Sequence, residues 1–524
     1  MRPTFAAFQT ASRAISTSQI LLDTVGNNIA NVNTVGYTRQ RVDLNSVANG
    51  GYIQRYKPQD VTAGGGVTAK GVSRVRDSFL DTRYRMQNST DNQYAAILSG
   101  LNDLENVVDQ TTWTGLLNEI GLFKNALSDT MLANPASGDM AMVVRNSAQK
   151  ISSLLNTYSS LIDNVRNQQI YDLQTVSIDT DFNSIVRNIA SLDRQINEQL
   201  AHGNTPNELY DERDLLFDRL SGLANVRITI EPKPLSDTLS VERVRISIVD
   251  DSTGKSIDLV DDEAYNTLTA TLNPDGTLRV DVNSAFGNIG LKDVTQYLTG
   301  GAIGGSLNVI NGKGTEFGAY AYGDNTFRGT LYYKGMLDTF AANFARVFND
   351  LNEYDPGNIT GNNERRDLFG TIDGASIVTA ANIRVSQNWY DDPMYLTVTQ
   401  PGDQSPGENI GRMVVAIDSG VNFYKNGNSA LPPMYANMTF EEFFTGVNAT
   451  LGLDVSLYTN YSTTSLQVMN TLFTARESVS GVSLEEEGTY LMAYEKSYNA
   501  AVRYFTVLDE CITRIIDQMG LAGR

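Results

Sequence analysis

Phe8, Ile15, Leu22 and Ile29 recur every seven residues near the start of the chain, with Ala11, Ser18, Val25 and Val32 interleaved. Near the other end Leu484, Leu491, Tyr498, Phe505, Ile512 and Met519 keep the same interval, with Tyr494, Ala501, Leu508 and Ile515 between them. Alternating steps of three and four hold a stripe on one face of a helix. Both ends are therefore predicted to be heptad helices that pair as a coiled coil, the small Ala11 and Ser18 receiving the rings of Tyr498 and Phe505. Termini fray unless something ties them down. Ile20 and Leu21 on the first helix, and Val502, Tyr504, Val507 and Ile516 on the second, lie off the seams. A large apolar side chain gains about 1.5–3 kcal/mol on full burial. Two helices do not cover so broad a surface, so further helices are expected, from this chain or from neighbouring copies.

Inward of the ends, the same spacing marks Tyr94, Ile97, Leu101, Leu104 and Val108, and then Ala148, Ile151, Leu155, Tyr158, Ile162 and Val165. It returns at Phe182, Ile185, Ile189, Leu192 and Ile196, and at Leu337, Phe340, Phe344, Val347 and Leu351. These stripes read as the core of a helix bundle. Between them the period falls to two, at Val226, Ile228 and Ile230 and at Val244, Ile246 and Ile248. Leu268, Ala270 and Leu272 lead through Asn273-Pro274-Asp275-Gly276 into Leu278, Val280 and Val282, a hairpin pattern. The fold class expected is multidomain α+β: terminal heptad helices forming a coiled coil, a long-helix bundle and an inserted all-β domain. The nested boundaries are 1–60 with 470–524, 61–225 with 326–469, and 226–325.

Chemistry is sparse. His202 is the single histidine, which excludes a two-histidine metal site and leaves a catalytic triad to depend on one residue in a turn. No catalytic, cofactor-binding or metal-binding residues are assigned, and the chain is read as non-enzymatic. Gly64-Gly65-Gly66 lacks the Lys-Ser/Thr of a phosphate loop, and Gly300-Gly301 with Gly304-Gly305 read as turns or hinges. With 60 acidic against 40 basic residues, the net charge of −20 repels nucleic acid and anionic lipid. Cys511 is the single cysteine, so no internal disulfide forms; it falls in an apolar helical pattern and reads as buried. The first residues show no apolar run ending in a cleavage site, and no stretch is long enough to span a membrane. Aromatic residues of the β segment, chiefly Tyr265, Phe286 and Tyr297, offer weak support for a glycan site.

The segment NNIANVNTVGYTRQ (27–40) resembles the N-terminal motif of flagellar axial proteins, and GVSLEEEGTYLMAYEKSYNAAVRYF (481–505) resembles their C-terminal motif. Four interior segments resemble the FlgK-type hook-associated family of the hook–filament junction: VRDSFLDTRYR (75–85), NELYDERDLLFDRL (207–220), FRGTLYYKGMLDTFAANFARVFNDLN (327–352) and TAANIRVSQNWYDDPMYL (379–396). The resemblance implies self-association in a ring-like zone, contact with the hook protein and the second junction protein, and an export chaperone. It implies an extracellular place at the hook–filament junction, reached without a cleaved signal; a hook or distal-rod protein is the alternative. In the N-terminal motif Gly36 suits a left-handed helix stop, and Asn28 and Asn31 suit bonds to backbone near the helix end. Tyr37 and Arg39 are expected to meet neighbouring subunits.

Overall fold

The computed structural model describes residues 6–47, 64–108, 110–131, 134, 137–236, 240–249, 256–283, 293–317, 326–361 and 364–519. The N-terminal seam forms α1 (Ala6–Ala30), followed by a hairpin of β1 (Gln40–Ser46) and β2 (Val67–Arg74). The hairpin lies along α1, where Arg13 donates to Gly65 O (3.0 Å) and Thr17 to Val67 O (3.4 Å). The chain then enters the body through α2 (Ser78–Val108), α3 (Gln110–Asn125) and α4 (Gly138–Tyr171).

The helix does not stop at Tyr171. A π-helical stretch, Asp172–Phe182, carries it without a break into α5 (Asn183–Ala201), both junctions keeping right-handed helical angles. Wider turns rotate the apolar stripe. Ile162 before the stretch serves the first core; from Ile170 onward, through Leu173, Ile178 and Phe182 of the stretch to Ile189 of α5, the buried residues serve the second. His202 caps the end of α5, and α6 (Asn207–Leu223) turns back along it.

The period-two segments form a four-stranded antiparallel sheet in the order β3 (Val226–Pro234), β4 (Ser240–Val249), β5 (Ser256–Asp261) and β6 (Ala264–Tyr265). A separate hairpin pairs β7 (Thr267–Leu272) with β8 (Leu278–Asn283). Val244, Ile246 and Ile248 point into the second core beside Val186 and Ile189 of α5. Asn273-Pro274-Asp275-Gly276 makes the expected turn, with Gly276 at φ +82°.

The reading of 300–305 as turns requires correction, because these glycines open helix α7 (Gly301–Asn311) inside the segment expected to be all β. A Cβ on Gly305 would lie 2.5 Å from the Gln93 carbonyl oxygen, and one on Gly100 would lie 2.7 Å from Val309. Side chains are absent there so that the backbone of α2 can reach Gly305 and the Val309 side chain of α7 can seat against Gly100. The helix joins the cores, Val309 entering the first and Ile303, Leu307 and Ile310 the second.

The body is completed by α8 (Thr330–Leu351), short hairpins β9 (Phe369–Thr371) with β10 (Ile383–Val385) and β11 (Val421–Phe423) with β12 (Tyr435–Met438), and helices α9 (Gln387–Asp391) and α10 (Glu408–Asp418). Phe340, Phe344 and Phe348 of α8 meet Phe123, Phe369 and Phe440 in the first core. Helix α11 (Phe440–Ser480) starts in a capping box, Thr439 and Glu442 each bonding the other's backbone N–H. It runs antiparallel to α2, pairing Tyr94 with Tyr461 and Tyr84 with Phe473. The expected boundary at 470 falls within this helix, which is unbroken to Ser480; the chain breaks instead at Gly481, before α12 (Leu484–Met519).

Candidate assembly surface

Helices α1 and α12 lie side by side. The small Ala11 and Ser18 and the larger Val25 are buried on α1, while Phe8, Ile15, Leu22 and Ile29 are half-buried. Phe8 meets Phe505 edge to face at 5.1 Å, a contact that adds to area burial. On α12 the residues Tyr494, Tyr498, Leu508 and Ile512 are half-buried. Met519 closes the helix; its side chain is outside the described residues.

Most of the remaining described α12 residues are exposed. Among its described side chains Glu487 alone is buried, whereas Leu484 is 54% exposed, Ile515 49% and Ile516 65%. Taken at 100° per residue, Leu484 and Leu491, expected in the seam, fall with Val502 and Ile516 on one flank of the α1-facing side, and Ile515, also expected in the seam, falls with Tyr490 and Tyr504 on the other. Among the described residues the helix thus presents two apolar flanks with α1 between them. Isolated exposed apolar residues are ordinary, but contiguous stripes mark binding surfaces. Cys511 also lies exposed, which corrects its reading as buried: among the described residues α12 packs along α1, and Cys511 stands off that seam.

The turn after α1 fixes how the two helices meet. Asn28, fully buried, donates through Nδ2 to Gln40 O and to Glu487 Oε2, each at 3.0 Å. Its Oδ1 accepts from the Gln40 N–H (3.0 Å) and the Tyr37 hydroxyl (2.9 Å). One amide side chain therefore joins α1, β1, the turn and α12. Asn31 donates to Asn27 O and to Asn27 Oδ1, and Gly36 adopts φ +84°. Tyr37 and Arg39 are both bound within the chain. Arg39 donates to Glu487 Oε1 at 2.8 Å, pairs with Glu486 at 3.3 Å and stacks over Tyr490. Burial, with Asp211, Glu208 and Glu487 nearby, pushes the Tyr37 hydroxyl well above its ordinary range, so it stays a donor to Asn28. Burial would lower Arg39, but Glu487 and Glu486 outweigh it and hold the guanidinium charged. Glu487 escaped the sequence reading because nothing distinguishes it from its neighbours Glu485 and Glu486 until Asn28 faces it.

In the β layer Tyr297 is buried and Tyr265 half-buried, and Phe286 lies outside the described residues. Neither described ring stands free for stacking on a sugar.

The family described as "Flagellar hook-associated protein FlgK helical domain" matches residues 101–369, just over half of the chain. "Flagella basal body rod protein" matches residues 8–38, which cover α1 and its turn. "Flagellar hook-associated protein 1" of Bacillus subtilis (strain 168) is 29% identical, each chain covered in full. The protein of the same description from Salmonella typhimurium is 22% identical over 94% of this chain and 95% of its own. Among solved structures, the flagellar hook junction protein FlgK from Burkholderia pseudomallei aligns with a TM-score of 0.53 at 14% identity, covering 76% of this chain and all of that one.

Proposed function

We propose, from the premise that this chain belongs to the FlgK family of flagellar hook-associated proteins, that it works by lending its uncovered terminal helices to neighbouring subunits at the hook–filament junction. The protein is a structural subunit of the flagellum and not an enzyme. One observation carries the proposed mechanism: α12 runs 36 residues with an apolar flank on each side of its seam and, among the described residues, α1 packed along it. A single neighbour on each flank closes both stripes. Burial then supplies the driving force, and the gap between the stripes sets the rotation between copies.

Other partners follow from the same surface. Before assembly the flanks need protection, which fits an export chaperone that binds α12. After assembly the hook protein lies beneath and a second junction protein above, outside the cell, with export independent of a cleaved signal. The residues assigned to assembly are those of the two seams and the turn, from Phe8 to Tyr37 and from Leu484 to Met519. The chain is best divided into a terminal layer, a helical body and the β insertion near 226–325.

The test is deletion of residues 484–519, followed by electron microscopy of the cells. The expected result is intact hooks, filament protein shed into the medium, and a truncated chain whose central cores still melt cooperatively. Filaments attached as in the parent strain would overturn the proposal. Loss of the hooks themselves would identify a hook or distal-rod subunit instead.

A further inference from the structure

The neck between terminal layer and body carries a third heptad seam, made of polar residues. Asn207, Asp211, Asp214 and Asp218 of α6 follow one another at steps of four, three and four, so they share one face. Every strand of chain that enters or leaves the terminal layer is bonded to that face. Asn207 donates to Val72 O of β2 (3.1 Å), and Asp211 accepts from the Thr38 N–H of the turn (3.0 Å). Arg74 of β2 bridges Asp211 and Asp214 through one nitrogen, at 2.8 Å to each. Arg76, in the link to α2, reaches Asp214 at 3.0 Å and Asp81 at 2.7 Å. Arg85 of α2 spans Asp214 (3.1 Å) and Asp218 (2.8 Å), and Arg476 in the last turns of α11 ends on Asp218 at 2.6 Å.

Asp214 sits at the middle of this row and is shared by three guanidinium groups. All the paired side chains of the row are largely withdrawn from water. Burial would raise the Asp214 carboxyl, but Arg76, Arg74 and Arg85 overcome it and hold it below the usual carboxylate range. Buried pairs of this kind add little net stability over apolar packing, yet stranding one member costs several kcal/mol. Sliding the terminal layer by one helical turn along α6 would strand at least one carboxylate and one guanidinium. A polar seam therefore admits one register where an apolar seam tolerates several.

We infer that Asp214 is a positioning residue: it fixes the angle of the terminal layer on the body, so that the flanks of α12 in successive copies meet in one register. The consequence for assembly rests on the reading above; the angular lock belongs to the free chain. The experiment uses the full chain in a Cys511→Ser background, with spin labels at Asn45→Cys on β1 and Ser153→Cys on α4. The label-to-label distance is measured by pulsed electron resonance. The parent is expected to give one narrow distance, Asp214→Asn a broadened distribution, and Asp214→Glu the narrow distance again. Thermal unfolding of the body is expected to stay cooperative throughout. Should Asp214→Asn not fold, Arg74→Gln removes one partner and is expected to broaden the distance to a smaller degree. A narrow distance in the folded neutralised variant, or a broad one in the parent, overturns the lock. A broadened variant that still holds filaments overturns its consequence alone. A parent chain that never enters a flagellum overturns the assembly reading and leaves the lock standing.

Discussion

Helices α8 and α12 carry the same spacing of apolar residues and have opposite fates. Fifteen of the 22 residues of α8 are buried, including Phe340, Phe344 and Phe348. In α12 one described side chain is buried, and it is a glutamate. The difference lies in what surrounds each helix. α8 is packed by α4, α7, α10 and α11 and by the small strands of the body, whereas α12 packs along α1. Period alone specifies a face; topology decides whether the same chain covers it. Apolar residues that the described core does not reach are free to be covered by another molecule.

The largest expected effect lies on the closed side of this comparison. Phe344→Ala removes a ring that touches Phe123, Phe340, Phe348, Phe369 and Phe440. Loss of about 3–5 kcal/mol is expected, read as a lowered midpoint in denaturant unfolding of the whole chain. A midpoint unchanged from the parent would mean that the body is held by something other than its aromatic centre.

Asn28→Ala comes next, at the hinge between the two regimes. It leaves the Gln40 N–H and C=O, the Tyr37 hydroxyl and one oxygen of Glu487 without their partner. A buried group deprived of its bond costs roughly 1–3 kcal/mol, and here several are deprived together. Because the hub joins α1 to α12, the expected loss is local. Hydrogen exchange of residues 27–40 should accelerate while the Phe344 region keeps its protection. Equal acceleration in both would merge the two regimes into one cooperative unit.

Much of this was legible beforehand. The two terminal seams, the bundle stripes and the alternating strands are repeats, and a repeat survives in sequence because it needs no knowledge of partners. Three features were not legible. Gly304 and Gly305 read as hinges because a glycine's local permissiveness is visible, while the close approach of α2 that requires it is not. The π-helical stretch 172–182 showed up as two separate stripes, since a wide turn shifts the phase without any breaker residue. The acidic row on α6 gave no signal of its own, because carboxylates at heptad spacing carry meaning only after Arg74, Arg76, Arg85 and Arg476 arrive from distant segments.

Asp193 gives a smaller effect, in a core that is closed but not wholly apolar. Its Oδ1 accepts from Arg213 at 3.0 Å, Arg213 also holds Glu242, and Asp262 and its partner Lys233 stand beyond. Burial pushes the Asp193 carboxyl up to about 6, against the pull of Arg213. A raised value in the fold means that the protonated form is favoured there. Its contribution is present below the ordinary value near 3.8 and is lost as pH rises through about 6. Between pH 7.5 and pH 5 the parent should gain about 1.4 kcal/mol relative to Asp193→Asn, read as the difference between their unfolding curves. Parallel curves at both pH values would show that the carboxylate is solvated after all.

The smallest effect on the free molecule is expected where the largest effect on function lies. Ile516→Ser, or Leu484→Ser on the same flank, removes an apolar group that is already mostly in water. Exposed substitutions of this kind change stability by about 0.5 kcal/mol or less, so the purified variants should melt with the parent. Each copy in an assembly, however, would lose the transfer of that side chain into a neighbour, about 1.5–3 kcal/mol per contact, repeated at every interface around the axis. The double variant should therefore carry hooks and shed filaments at unchanged monomer stability. Matching loss at Phe344→Ala would come with an unfolded body, so the pair of measurements separates a helix that builds the subunit from one that joins it to the next. Normal filament retention by the double variant would place the working flank of α12 on the Tyr490, Tyr504 and Ile515 side.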